Sequence, residues 1–187
     1  IYLTGNYYVN NFNHWHTGSV TNMSKLFRNA RLFNRSLTKW ATSHVTTMQQ
    51  MFKGASSYNQ RLYDWNGSSL EDMGEMFSGA SSFNQHPFPY VGMVKYMGEL
   101  FKDCTAFNHP IGHWNVSQVI NMQGMLKGAT AFNQPLQQWV FHPSVNTTNF
   151  LQNSGMTCNT YDTCLQGWAS QNQASGIYLD AQRPYGN

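Results

Sequence analysis

The chain of 187 residues is 41% hydrophobic, enough for a sizeable core in one domain or two small ones. Only 10% of it is charged, where about 25% is usual, so solubility falls to Asn, Gln, Ser, Thr and Gly. The net charge of +3 is scattered as single Lys and Arg residues, which argues against nucleic acid as a partner, and no apolar run reaches the ~18 residues of a membrane helix. The chain begins at Ile1 without an initiator Met or a signal-like segment, as a mature or trimmed product does.

Residues 1–15 carry the last half of a repeat, ending in "YYVNNFNHW", with no polar cap. Large aromatics then recur at Trp15, Trp40, Trp65, Tyr90, Trp114 and Trp139, at spacings of 25, 25, 25, 24 and 25. A fixed period of this size marks a stacked architecture.

Each unit fills the same slots. Val20, Val45, Leu70, Val94 and Val119 open a short apolar stretch, and Met23, Met48, Met73, Met97 and Met122 follow. Four residues later come Phe27, Phe52, Phe77, Phe101 and Leu126, the spacing of one helical face. A small residue comes next, Ala30, Ala55, Ala80, Cys104 or Ala129, with Gly54, Gly79 and Gly128 before it as helix-ending residues. An aromatic-rich stretch through Phe33, Tyr58, Phe83, Phe107 and Phe132 reads as a strand, weakened by Pro87 and Pro110. Asn34, Asn59, Asn84, Asn108 and Asn133, stacked on one another, predict a buried asparagine ladder. No unit buries its own apolar layer, so stability is nearly a sum over interfaces between neighbours.

The predicted fold is an α/β solenoid, a leucine-rich-repeat-like stack of 25-residue coils with short strands and a short helix in each. Residues 1–139 form the solenoid, five full coils after an N-terminal half coil, and 140–187 form a degenerate last coil and a C-terminal cap. Within the cap, Cys158 and Cys164 in "CNTYDTC" are spaced to close a small disulfide loop; if that bridge forms, the chain belongs to an oxidising compartment.

Units such as "VTNMSKLFRNARLFNRSLTKW" and "VINMQGMLKGATAFNQPLQQW" resemble the roughly 26-residue repeat of the BspA-like bacterial surface proteins, leucine-rich-repeat relatives. The tail, with Tyr161, Leu165, Trp168, Leu179, Ala181 and Tyr185, is similar to the segment that closes such arrays. The resemblance implies a secreted or surface-displayed protein that binds other molecules and has no enzymatic activity.

The polar positions of the aromatic-rich stretch, if it lines the concave surface, form a binding face for an extracellular protein or glycan. They are Arg35, Gln60, Arg61, Gln85, His86, His109 and Gln134, extended by Lys39, Tyr63, Asp64, Phe88 and His113. His14 and His16, and His109 and His113, invite a metal reading. No carboxylate accompanies either pair, so solvent-exposed, non-ligating histidines are expected and no metal or cofactor is assigned. Eight acidic residues are a thin supply for a catalytic triad, and Cys104 in its Ala slot reads as a buried, inert thiol. Of the sequons at Asn22, Asn34, Asn66, Asn115 and Asn146, the ones at Asn66 and Asn115 share an outward slot and are the glycosylation candidates. The alternative to a binding module is a self-assembling subunit of an extracellular fibre, sheath or matrix, stacked end to end.

Overall fold

The computed structural model describes residue 12 and residues 15–171. The slots of the repeat do stack, but not as strands and helices. Among the described residues no sheet forms; β pairing is confined to five isolated parallel bridges that run Asn22, Thr47, Asp72, Tyr96, Asn121, Asn146. The described residues contain one α-helix, α1 (Cys158–Ser170), and it lies after the repeats. The expected α/β solenoid is therefore corrected to a column of irregular, turn-built coils.

The backbone explains the difference. Residues in two slots of each coil are left-handed: Lys25, Gln50, Glu75, Glu99, Gly124 and Asn149 in one, Asn29, Gly54, Gly79, Asp103, Gly128 and Asn153 in the other, with φ between 54° and 72°. A helix is impossible through such an alternation. Instead every second N–H of the segment points along the column: those of Met23, Lys25, Phe27 and Asn29 donate to the carbonyls of Thr47, Gln49, Met51 and Lys53 at 3.0, 2.9, 2.8 and 2.7 Å. The same four bonds recur between later coils, from Met48, Gln50, Phe52 and Gly54 to Asp72, Gly74, Met76 and Ser78, and onward. A left-handed non-glycine residue costs about 1–2 kcal/mol, and each inter-coil bond returns about 0.5–1.5 kcal/mol, so the segment holds only as part of a stack.

The stretch read as a strand is bent by turns, with the N–H of Phe33 donating to Ala30 (2.9 Å) and that of Trp40 to Leu37 (3.1 Å). Side chains join neighbouring coils there. The N–H groups of Asn59, Asn84, Asn108 and Asn133 donate to Oδ1 of Asn34, Asn59, Asn84 and Asn108 at 2.9–3.0 Å, and Thr157 takes the last rung from Asn133. The asparagine ladder forms as expected, although at the surface: Asn34 and Asn84 are exposed rather than buried.

Inside, rings stack in register. Phe27, Phe52, Phe77 and Phe101 make one column with centroids 5.5–5.6 Å apart, and Phe33, Tyr58, Phe83, Phe107 and Phe132 make a second at 5.7–6.1 Å. The methionine column from Met23 to Met122 is buried beside them, as its regular spacing predicts. Trp40, Trp65, Trp139 and Trp168 are buried, and each indole N–H reaches a carbonyl of the preceding coil, Phe12, Leu37, Ile111 and Leu136. Tyr90, which shares this slot in the sequence, is 74% exposed; Phe88 is drawn in instead, with its ring 6.0 Å from Trp65.

Tyr58 sits in the phenylalanine column with its hydroxyl buried and without a hydrogen-bond partner, and burial pushes its pKa far above the usual value. An unsatisfied buried hydroxyl costs about 1–3 kcal/mol. Tyr58→Phe is accordingly expected to raise the stability by about 1 kcal/mol or more, read as a higher denaturation midpoint at unchanged slope.

Candidate functional site

The face expected from the sequence is partly assembled. Tyr63, 58% exposed, meets the edge of His86 at 5.6 Å, and the His86 ring lies 5.5 Å from His113 and 5.9 Å from His109. Arg61, on the same turn as Tyr63, pairs with Asp64 at 3.3 Å. The result is a patch of rings from three coils bordered by an ion pair. Because Arg61 and Asp64 are both largely exposed, the pair is worth little for stability.

His86 is the centre of the patch. Its half-burial lowers its pKa below the ordinary histidine value, and the neighbouring His113 and His109 add to the effect. The Nδ1 atoms of His86 and His109 are buried and have no hydrogen-bond partner. His109 is half-buried, contrary to the exposure expected of it; His16 and His113 are exposed, and His14 lies outside the described residues. Among the described residues no group of three His, Cys, Asp or Glu side chains is arranged to hold a metal ion.

Other members of the predicted face behave differently. Phe88 does not belong to it: its side chain is fully buried in the core, because Tyr90 gives up the indole slot and the Phe88 ring fills the space. Gln60 and Gln134 donate their amides to the ladder at Asn34 and Asn108, both at 3.0 Å, so they brace the surface. Gln85 is half-buried, and Arg35 is exposed with no bond or ring contact joining it to the histidine patch.

The cysteine reading also changes. Cys158 and Cys164 are free thiols, and both lie on α1, where six residues of helical rise separate their Cα atoms by about 9 Å, beyond the reach of a disulfide. Cys158 is exposed, whereas the Cys164 sulfur is buried and accepts the Leu136 N–H at 3.2 Å. Cys104 matches its expectation: it is buried, its thiol donates to the Phe77 carbonyl, and burial pushes its pKa far up. Asn66 and Asn115 are exposed, and each Oδ1 accepts a backbone N–H from its own sequon, Ser68 at 2.9 Å and Ser117 at 3.1 Å.

One feature escaped the sequence reading. Two residues beyond each bridge position stand Ser24, Gln49, Gly74, Gly98, Gln123 and Thr148. The consecutive glycines open a notch of about 550 Å³ between Gln49 and Gln123, with Asp72, Tyr96 and Asn121 around it. Glu75 and Glu99 also line it, but Lys53 and Lys102 already engage them. Burial acts to raise the Glu75 pKa, yet bonds from Lys53 and Gln50 and the charge of Lys53 and Arg28 outweigh it and hold the carboxyl below its ordinary value. Adjacent glycines in one slot were the available signal.

The family described as "Mycoplasma protein of unknown function, DUF285" matches the chain twice, over residues 3–92 and 89–168. The chain belongs to that family. Each match spans several coils, so the family relation and the internal period both describe a repeat protein. No curated protein and no solved structure matches this DUF285 member.

Proposed function

We propose that the chain is a non-catalytic repeat module, extracellular or displayed on a cell surface, that binds a protein or glycan through the patch of Arg61, Tyr63, His86 and His113. The observation that carries this reading is the pair of buried, unpartnered Nδ1 atoms within an otherwise exposed ring cluster. Each unsatisfied polar atom costs about 1–3 kcal/mol, so the cluster burdens the fold, which favours a role in recognition.

Location outside the cell rests on the likeness of the repeat to BspA-like surface proteins and agrees with the low charge. No helix among the described residues is long and apolar enough to cross a membrane. The absence of catalysis is proposed because, among the described residues, no Ser, Cys or carboxylate is hydrogen-bonded to His86, His109 or His113, and Asp64 faces Arg61. Helix α1 packs on the coil before it through Trp168 and Cys164 and so occupies a surface that end-to-end stacking would use, which supports the binding module over the fibre. Glycosylation at Asn66 and Asn115 is part of the same extracellular reading.

Arg61 and Tyr63 are exposed, so Arg61→Ala with Tyr63→Ala leaves the denaturation midpoint unchanged. On a glycan array and a panel of immobilised extracellular proteins, the double variant is expected to lose about tenfold or more in affinity for at least one ligand of the wild type. Undiminished binding to every ligand sinks the assignment of this face.

A further inference from the structure

The notch at Gly74 and Gly98 lies outside the histidine patch and has a chemistry of its own. In every coil but one, the residue at the bridge position turns its side chain back to cap the N–H two residues on. Asn22 caps Ser24 (2.8 Å), Thr47 caps Gln49 (3.3 Å), Asp72 caps Gly74 (2.8 Å), Asn121 caps Gln123 (2.9 Å) and Asn146 caps Thr148 (3.0 Å). Tyr96 occupies the sixth position and does not do this, so the Gly98 N–H is the one in the series without a hydrogen bond. It lines the notch at the place where the missing side chains make room.

Around this donor the groups alternate in character. Asp72 spends Oδ1 on Gly74 and keeps Oδ2 as an acceptor; Asn121 spends Oδ1 on Gln123 and keeps its amide N–H groups as donors. Tyr96 is 43% exposed and brings a ring face and a hydroxyl. A cation is poorly matched, since two of the three carboxylates already face lysines and the remaining site includes the Gly98 and Asn121 donors. An anion is repelled by Asp72. Neutral vicinal hydroxyls, each both donor and acceptor, fit the mixed set, and an aromatic face suits the C–H face of a sugar ring. The volume of about 550 Å³ falls within the range of small-ligand sites.

We propose that this notch is a carbohydrate-binding site that takes a neutral pyranose against Tyr96, with hydroxyls at Asp72 and Asn121 and a sugar oxygen at the Gly98 N–H. The inference goes beyond the histidine face and stands or falls separately from it.

The test is a titration of the intact, ¹⁵N-labelled chain with methyl glucoside, galactoside, mannoside and N-acetylglucosaminide at millimolar concentration, followed by amide NMR. At least one sugar is expected to move the Gly74, Gly98 and Gln123 signals while leaving those of Tyr63 and His86 in place. Gly98→Gln, which copies Gln49 and Gln123 in the same slot, fills the notch, its Cβ 3.3 Å from the Asn121 amide, which must shift slightly to admit it; Tyr96→Ala removes the platform. Each is expected to weaken sugar binding by about tenfold or more. Sugars that leave the Gly98 amide unmoved, a lysine-rich peptide that moves it in their place, or binding that survives Gly98→Gln overturns the proposal. Loss of ligands in the Arg61 and Tyr63 variant with the sugar titration intact bears on the histidine face alone.

Discussion

Phe77→Ala is expected to destabilise the protein by about 3–5 kcal/mol, the upper range for a truncated core aromatic. The Phe77 ring is fully buried, stacked at 5.6 Å on Phe52 below and on Phe101 above, and 4.1 Å from Phe83 in its own coil. Its removal therefore opens a hole in two inter-coil interfaces at once. In a column where each coil touches only its neighbours, stability is a sum over those interfaces, and two weakened ones in the middle divide the stack. The inter-coil hydrogen bonds do not compensate, because they offset left-handed backbone at Glu75 that is unfavourable without the stack. Urea denaturation of the variant is expected to show a much lower midpoint and a broader transition as the two halves uncouple. A loss below about 1 kcal/mol would refute the claim that ring stacking between coils carries the fold.

The sequence shows that Phe77 belongs to a column, but not how its backbone runs. Period, core slots and asparagine ladder were legible because they depend on residue type at a fixed repeat, and stacking needs nothing more. Helix and strand were not, because Met23 and Phe27 share a face both on a helix and on a chain that alternates right- and left-handed residues. Part of that alternation was written in the sequence: Asn29, Gly54, Gly79, Asp103, Gly128 and Asn153 occupy one slot, and all are types that tolerate positive φ. The second left-handed slot was hidden, since Lys25, Gln50, Glu75 and Glu99 have no such preference and are held there by the bonds between coils. On the candidate face, one short unit misled the reading. Between Trp65 and Trp114 the spacing falls by a residue, Phe88 replaces Tyr90 in the core, and a side chain expected to face a ligand is buried.

Gly167→Leu is expected to unseat the C-terminal helix and to cost about 3–5 kcal/mol, comparable to deleting a buried Trp. Replacing a helical glycine ordinarily gains up to about 1 kcal/mol from propensity, so the sign here is decided by packing. A Cβ at Gly167 would overlap the Cβ of Gln137 and stand 2.7 Å from the Gln137 carbonyl oxygen and 3.0 Å from its Cα. Two of these atoms are backbone, bound into a coil, and cannot step aside. The helix must move, and with it go the Trp168 indole bond to the Leu136 carbonyl (3.0 Å), the Cys164 contact with the Leu136 N–H and the Gln171 amide bond to Gln137 (3.0 Å). The N-terminal end of α1 does not depend on this contact: Thr157 still caps Thr160 and still closes the asparagine ladder at Asn133. The variant should therefore hinge near Thr157 and leave the preceding coils stacked. Limited proteolysis is expected to release the chain beyond that point while the rest stays resistant, and the Trp168 indole proton should exchange rapidly. A cap that remains protected would show that Gly167 is not what lets α1 approach Gln137. Detachment would also expose the Leu136 and Phe141 surface that α1 now covers, so the same variant is expected to associate with itself as its concentration rises.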